Sequence, residues 1–181
     1  VSNIEAAHAE TRALLGALNG PVYAVPGNHD LLELVARLED DGLRFLLNES
    51  VRLEVRGESV FLAGVDDPVT FGTHDLARAA RGIPEPGRSF LLCHAPDPFV
   101  EAAAAGFGLM LCGHTHGGQL CLPGGHMLST HSHAPRAYCR GAWSYEGLRG
   151  YTTSGAGGSG LAARLNCPPE IVRHTLRTAR D

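Results

Sequence analysis

The chain has 181 residues, 44% of them hydrophobic and 19% charged, with a formal net charge of -4. That size and balance describe one globular domain, long enough to bury roughly two-thirds of its unfolded surface, and the net negative charge argues against polyanion binding, so no nucleic-acid partner is expected. The longest run free of charged or strongly polar residues, Ala102 to Cys112, falls far short of the ~20 apolar residues that cross a bilayer, and no membrane segment or signal peptide is expected within these residues.

Ile4, Ala7, Leu14, Leu15 and Leu18 keep a helical period up to Gly20, and Ser2-Asn3-Ile4-Glu5 reads as a capping box at its start. A helix beginning so near residue 1 suggests that something precedes it. Pro21 leads into a short strand, Val22 to Val25, which ends at Pro26-Gly27. Asp30 is placed to cap a helix carrying Leu31, Leu34, Val35 and Leu38, stopped by Gly42. From Arg44 to Val65 the pattern is of short strands turning at Gly57-Glu58, and a short helix follows Thr73. Two apolar runs, Ser89 to Cys93 and Gly108 to Cys112, flank an Ala-rich helix from Pro98 to Ala105, the pattern of a βαβ unit. After residue 118 the chain is β and loop, with strands expected at 120–122, 142–145, 149–153 and 170–177.

All fifteen basic residues are arginine, which excludes Schiff-base chemistry and a Walker-type phosphate lysine. The five cysteines, Cys93, Cys112, Cys121, Cys139 and Cys167, contain no C-x-x-C pair and read as free, mostly buried thiols of a reducing compartment. Of the ten histidines, four lie in three Gly- or Pro-bounded segments, each following an apolar strand: Gly27-Asn28-His29-Asp30, Cys93-His94-Ala95-Pro96-Asp97 and Gly113-His114-Thr115-His116-Gly117-Gly118-Gln119. A lone histidine at a strand end is more often a satisfied polar residue than a ligand. Three such segments, one holding an H-x-H pair, point instead to a metal site at converging strand ends.

These motifs resemble the calcineurin-like metallophosphoesterases. Gly27-Asn28-His29-Asp30 matches the G-N-H-[DE] motif, His94 the isolated histidine and Gly113-His114-Thr115-His116 the G-H-x-H motif, while Leu91 to Asp97, Gly64 to Pro68 and Cys167 to Ile171 are similar to a bacterial phosphodiesterase branch. The resemblance implies a four-layer α/β/β/α sandwich with two mixed sheets. It implies two divalent ions, of Mn, Fe or Zn, that supply a water or hydroxide nucleophile at a phosphoester. By resemblance, Asn28, His94 and His114 hold one ion and His116 belongs to the second. His29 protonates the leaving alkoxide or contacts the phosphate near it. Asp30, Gly113 and Gly117 support the site or the substrate, Asp30 as a helix cap or outer carboxylate.

The family also carries Asp-x-His and Gly-Asp motifs ahead of G-N-H-D, and the first 27 residues contain no aspartate. The chain therefore reads as a single, incomplete domain, residues 1–181, lacking the first strands of the family fold, with at most one well-liganded ion and little or no turnover. The expected function is a phosphodiesterase or pyrophosphatase acting on a nucleotide-linked or lipid-linked small molecule, in a cytoplasmic protein that is membrane-associated when full-length in many relatives. The alternative is a non-catalytic metal-binding or interaction domain.

Gly155-Ala156-Gly157-Gly158-Ser159-Gly160 satisfies a dinucleotide fingerprint, but Pro168 and Pro169 leave no room for the required helix, so it reads as a turn. His131-Ser132-His133 either contacts phosphate or forms a polar surface loop, and the loop reading is preferred. Asp66 and Asp67 lie at a strand end near the expected pocket rim. Cys93 and His94, adjacent on a strand, point to opposite faces and form no dyad.

Overall fold

In the computed structural model, residues 4–85 and 88–177 are described. Ser2 and Asn3 of the expected capping box lie outside them. In chain order the elements are α1 (Ile4–Gly16), β1 (Val22–Ala24), α2 (Leu32–Asp40), β2 (Leu43–Phe45), β3 (Glu49–Val55), β4 (Glu58–Gly64), α3 (Leu76–Ala79), β5 (Ser89–Leu92), α4 (Phe99–Ala104), β6 (Leu109–Cys112), β7 (Cys121–Leu122), β8 (His126–Met127), β9 (Gly141–Tyr145) and β10 (Leu148–Thr152). The β3–β4 hairpin closes one residue earlier than expected, with Arg56 and Gly57 at φ 54° and 84°, both left-handed as a two-residue turn requires, and Glu58 opening β4.

The main sheet is mixed and six-stranded, in the order β3-β4-β5-β6-β10-β9. Its four central strands run parallel, and β3 and β9 close the two edges antiparallel. The βαβ unit β5-α4-β6 lies at its centre, as its apolar runs predict. One face of that sheet forms the larger core with α3 and α4, where Ala63, Leu91, Met110, Ala102 and Phe107 are buried. Phe99, Tyr138, Trp143 and Tyr145 close its far end edge to face and stacked, with ring centroids 4.9 Å apart for Phe99–Tyr138, Phe99–Tyr145 and Tyr138–Trp143. Gly150 stands opposite Trp143 in the β9–β10 register, and the indole ring lies directly over it.

The second sheet is the parallel pair β1-β2, with its own small core of Val35, Leu38, Leu43 and Phe45 under α2. It meets the main sheet at Gly64, the last residue of β4, where a Cβ would stand 2.4 Å from Leu46 Cβ and 2.8 Å from Val25 Cγ1. This close approach carries the chain leaving β1, residues 26 to 30, over the ends of the central strands.

Two expectations are corrected. Asp30 does not cap α2: the capping position is Leu31, with no side-chain cap bond, and the Asp30 carboxylate instead accepts the Gly27 N–H at 2.7 Å. Residues 170–177 form no strand, and Ile171 is 92% exposed. Pro168 and Pro169 offer no N–H to a ladder, and the Glu170 carboxylate takes the Ser154 N–H and the Thr153 hydroxyl, fixing the segment by side-chain bonds instead. All five cysteines are free and buried, as expected.

Adding a Cβ at Gly150 places it 2.1 Å from Trp143 Cζ2. Gly150→Ala should cost about 1–3 kcal/mol by overpacking, read as a lower urea midpoint, whereas Gly16→Ala, where a Cβ meets nothing within 4 Å, should leave that midpoint unchanged.

Candidate metal centre

The loops after β1, β5 and β6 converge on a cleft of about 700 Å³ lined by Asn28, His29, Asp30, His94, His114 and His116, among others. Each loop is held by a different device. The first is a self-closed turn, in which Asp30 N–H donates to the Gly27 carbonyl at 3.0 Å while the Asp30 carboxylate takes the Gly27 N–H. Gly27 must lack a side chain, because a Cβ there would sit 2.6 Å from His94 Cε1. The second and third loops are tied by Gly113 N–H donating to the His94 carbonyl at 2.9 Å, which continues the β5–β6 ladder past the strand ends.

The third loop is strained. His114, His116 and Gln119 have φ of 64°, 51° and 50°, and Gly117 and Gly118 between them are left-handed too. Non-glycine residues in that region cost roughly 1 kcal/mol each and persist where the surroundings over-determine them. Gly117 leaves no space for a side chain, since a Cβ would meet Arg140, Cys167 and Ser154 at 2.9 Å. Neither Gly113 nor Gly117 lines the cleft; both shape the backbone that carries the histidines.

At the floor of the cleft, His94 Nε2 lies 2.9 Å from Asn28 Oδ1 and 3.0 Å from His114 Nδ1. His114 Nε2 lies 2.9 Å from the His131 carbonyl oxygen, which can only accept, so Nε2 carries the hydrogen and Nδ1 presents a lone pair. The Asn28 oxygen is also an acceptor. One proton, on His94 Nε2, therefore faces two lone-pair atoms, Asn28 Oδ1 and His114 Nδ1. Burial, and then the neighbouring His114, push the His94 pKa down to about 4, so the ring is neutral at pH 7.

His116 lines the same cleft, and its Nδ1 is buried with no hydrogen-bond partner. Burial first, then Arg164 and His114, lower its pKa. His29 is exposed and lines the cleft. Among the described residues no three or more His, Cys, Asp or Glu side chains meet as a group that could hold a metal ion; the converging set is two imidazoles and one amide, with no carboxylate.

Asp67, expected near the rim, is 1% exposed. Burial works to raise its pKa, but the N–H groups of Phe71, Thr70 and Val69 bond the carboxylate and hold it below the ordinary value; its role is to fold that loop. Burial pushes the Cys93 thiol well above its usual range, which removes it as a nucleophile. Gly158 and Ser159 of the glycine-rich stretch form one wall as a loop, not a dinucleotide turn. His131-Ser132-His133 is more than a surface loop: His131 lines the cleft and its carbonyl bonds His114. The repeated H-x-H pattern was the one sequence signal for it.

Comparison with known proteins bears on these strand-end histidines. The chain is 28% identical over 163 residues to the metallophosphoesterase YkoQ of Bacillus subtilis, covering 86% of this chain and 60% of that protein. It is 30% identical to the phosphodiesterase YaeI of Escherichia coli over 84% of this chain and 57% of that one, and 27% identical to the Bacillus subtilis metallophosphoesterase YkuE over 94% and 62%. These likenesses support a place for the chain in the calcineurin-like metallophosphoesterase family. The chain spans about three fifths of the length of those curated relatives. A transmembrane protein with a metallophosphoesterase domain from Bos taurus is 29% identical over 87% of this chain and 39% of its own length. No helix among the described residues of this chain is long and apolar enough to cross a membrane. No protein-family model and no solved structure matches the chain.

The depressed His94 pKa has a stability consequence. Between the ordinary histidine value of about 6.5 and the folded value of about 4, the unfolded chain binds the extra proton, so stability should rise with pH across that window. Urea midpoints of the metal-free protein, measured from pH 4 to 7, should climb, and His94→Gln should flatten the climb.

Proposed function

We propose that this chain carries the site of a metal-dependent phosphodiester hydrolase, with Asn28, His94 and His114 as the ligands of one divalent ion. The observation that carries this reading is the proton of His94 Nε2 facing the lone pairs of Asn28 Oδ1 and His114 Nδ1 at 2.9 and 3.0 Å, a place where a cation that replaces the proton meets three donor atoms. Two imidazole nitrogens and an amide oxygen suit Mn, Fe or Zn better than Mg or Ca. For a second ion the described residues offer His116, whose buried Nδ1 has no other partner. They bring no bridging carboxylate to the cluster, so one ion fits this donor set and a two-ion centre does not fit it alone.

When bound, the ion supplies Lewis acidity, neutralising charge on the phosphoryl oxygens and lowering the pKa of water. The rest is the work of the chain. The Gly27–Asp30 turn holds the Asn28 amide against His94, so the donors need little reorganisation. The three donors, two imidazoles and an amide, are themselves uncharged and add no negative charge where an anionic diester must settle. His29, at the exposed face of the cleft, is the acid that protonates the leaving alkoxide as its bond to phosphorus breaks and the water oxygen takes its place. Val69, Leu120, Leu128 and Leu161 line the walls, and among the described lining residues there is no Phe, Tyr or Trp ring to stack a base and no arginine to grip a polyphosphate. That lining supports an aliphatic or lipid-linked diester over a nucleotide-linked one.

A second reading, a single-ion domain without turnover, is favoured by the absence of any carboxylate from the converging donors. One experiment separates the two. Titration calorimetry with Mn should give one ion per chain, lost in Asn28→Ala and His94→Ala, and hydrolysis of bis(p-nitrophenyl) phosphate should stop with chelator, return with Mn and fall at least a hundredfold in either variant. Binding without turnover selects the second reading, and absence of binding overturns both. For substrate class, Leu161→Ser should raise KM several-fold for an octyl p-nitrophenyl phosphate while leaving bis(p-nitrophenyl) phosphate unchanged.

A further inference from the structure

Asp97 stands three residues beyond His94, just before α4, and does not cap that helix. The capping position of α4 is Pro98, with no side-chain cap bond, and the Asp97 carboxylate reaches to residues more than thirty positions away. One oxygen accepts the Ser132 hydroxyl at 2.8 Å and the other accepts the His133 N–H at 2.8 Å. The Asp97 side chain is 17% exposed, so these charge-assisted bonds are only partly screened. The His133 ring, 3.5 Å away but 101% exposed, contributes nothing comparable, and what Asp97 grips is the Ser132 hydroxyl and the His133 backbone N–H. Ser132 Oγ in turn accepts the Ala134 N–H at 3.1 Å, tightening the same turn, and His131 within it is held at a left-handed φ of 51°.

The His131 carbonyl oxygen faces His114 Nε2 at 2.9 Å. A carbonyl partner on one ring nitrogen fixes the tautomer and aims the other nitrogen, here Nδ1, at the cleft floor. We propose that Asp97 is a positioning residue for His114: by clamping Ser132 and the His133 N–H it holds the His131 carbonyl against His114 Nε2 and so keeps Nδ1 as the free donor beside His94 and Asn28. The loop after β5 thus serves the centre twice, directly through His94 and indirectly through Asp97. The inference rests on the reading of His114 as a metal ligand, but its geometric half concerns the metal-free chain.

The test uses long-range proton–nitrogen NMR of the histidine rings in metal-free protein, with Mn affinity measured separately. In the wild type His114 should show one tautomer, protonated at Nε2. In Asp97→Ala and Ser132→Ala the two His114 nitrogens should move toward averaged shifts, and Mn affinity should fall about tenfold or more, with the effect graded so that Asp97→Asn, which retains one acceptor, lies between wild type and alanine. Should Asp97→Ala fail to fold, Asp97→Asn and Ser132→Ala carry the same test. A His114 tautomer that stays fixed at Nε2–H in the folded variants overturns the proposal. A wild type that shows the fixed tautomer but binds no Mn would overturn the hydrolase reading and leave the Asp97 clamp standing.

Discussion

Everything at the centre depends on a close approach between two backbones that only glycine allows. Leu46 and Val25 press on Gly64, at distances where a Cβ could not stand, and this contact locks the β1-β2 pair onto the end of β4. The loop leaving β1 then hangs over β5, and at Gly27 the same constraint recurs, with the His94 ring occupying the space a side chain would need. Asn28 reaches His94 because these two glycines leave nothing between the sheets. The packing at Gly64 is therefore as much part of the candidate metal centre as the side chains that meet there.

Each half of the molecule contributes what the other lacks. The six-stranded sheet is the rigid part, with four parallel strands buried by α3, α4 and the aromatic cluster, and it delivers His94 and His114 from neighbouring strand ends. Rigid strands ending in short loops are the usual way to fix side chains within a few tenths of an ångström. The small sheet is thinner, and α1 buries none of its residues, so Asn28 arrives on the less supported side. The Asp30 carboxylate compensates by closing its own turn on the Gly27 N–H rather than capping the helix that follows.

The half after residue 118 reads as β and loop in sequence, and it supplies one side of the cleft. Gln119 and Arg164 gather its backbone: the Gln119 amide donates to the carbonyls of Ser159, Leu161 and Ala163, and the Arg164 guanidinium bonds those of Ser154, Gly157 and His116. A guanidinium bonded to carbonyls and to the Cys167 sulfur keeps its charge close to the loop that carries His116, which agrees in direction with the lowered pKa of that ring.

Strand and helix periods along the chain determined the βαβ unit, the β3–β4 hairpin and the short helix before β5, because alternation and apolar runs are local properties that survive without knowledge of neighbours. The motif residues Asn28, His94, His114 and His116 were equally legible, since their glycine and proline surroundings mark strand-end turns. What the sequence could not determine was the use of groups whose partners lie far along the chain. Asp30 looks like a cap and closes a turn; Asp97, given no role by the sequence, grips residues 132 and 133; His131 looks like surface and meets His114. A carboxylate or carbonyl has several partners of nearly equal strength within reach in an unfolded chain. Only the closing of long loops in the tertiary structure selects among them.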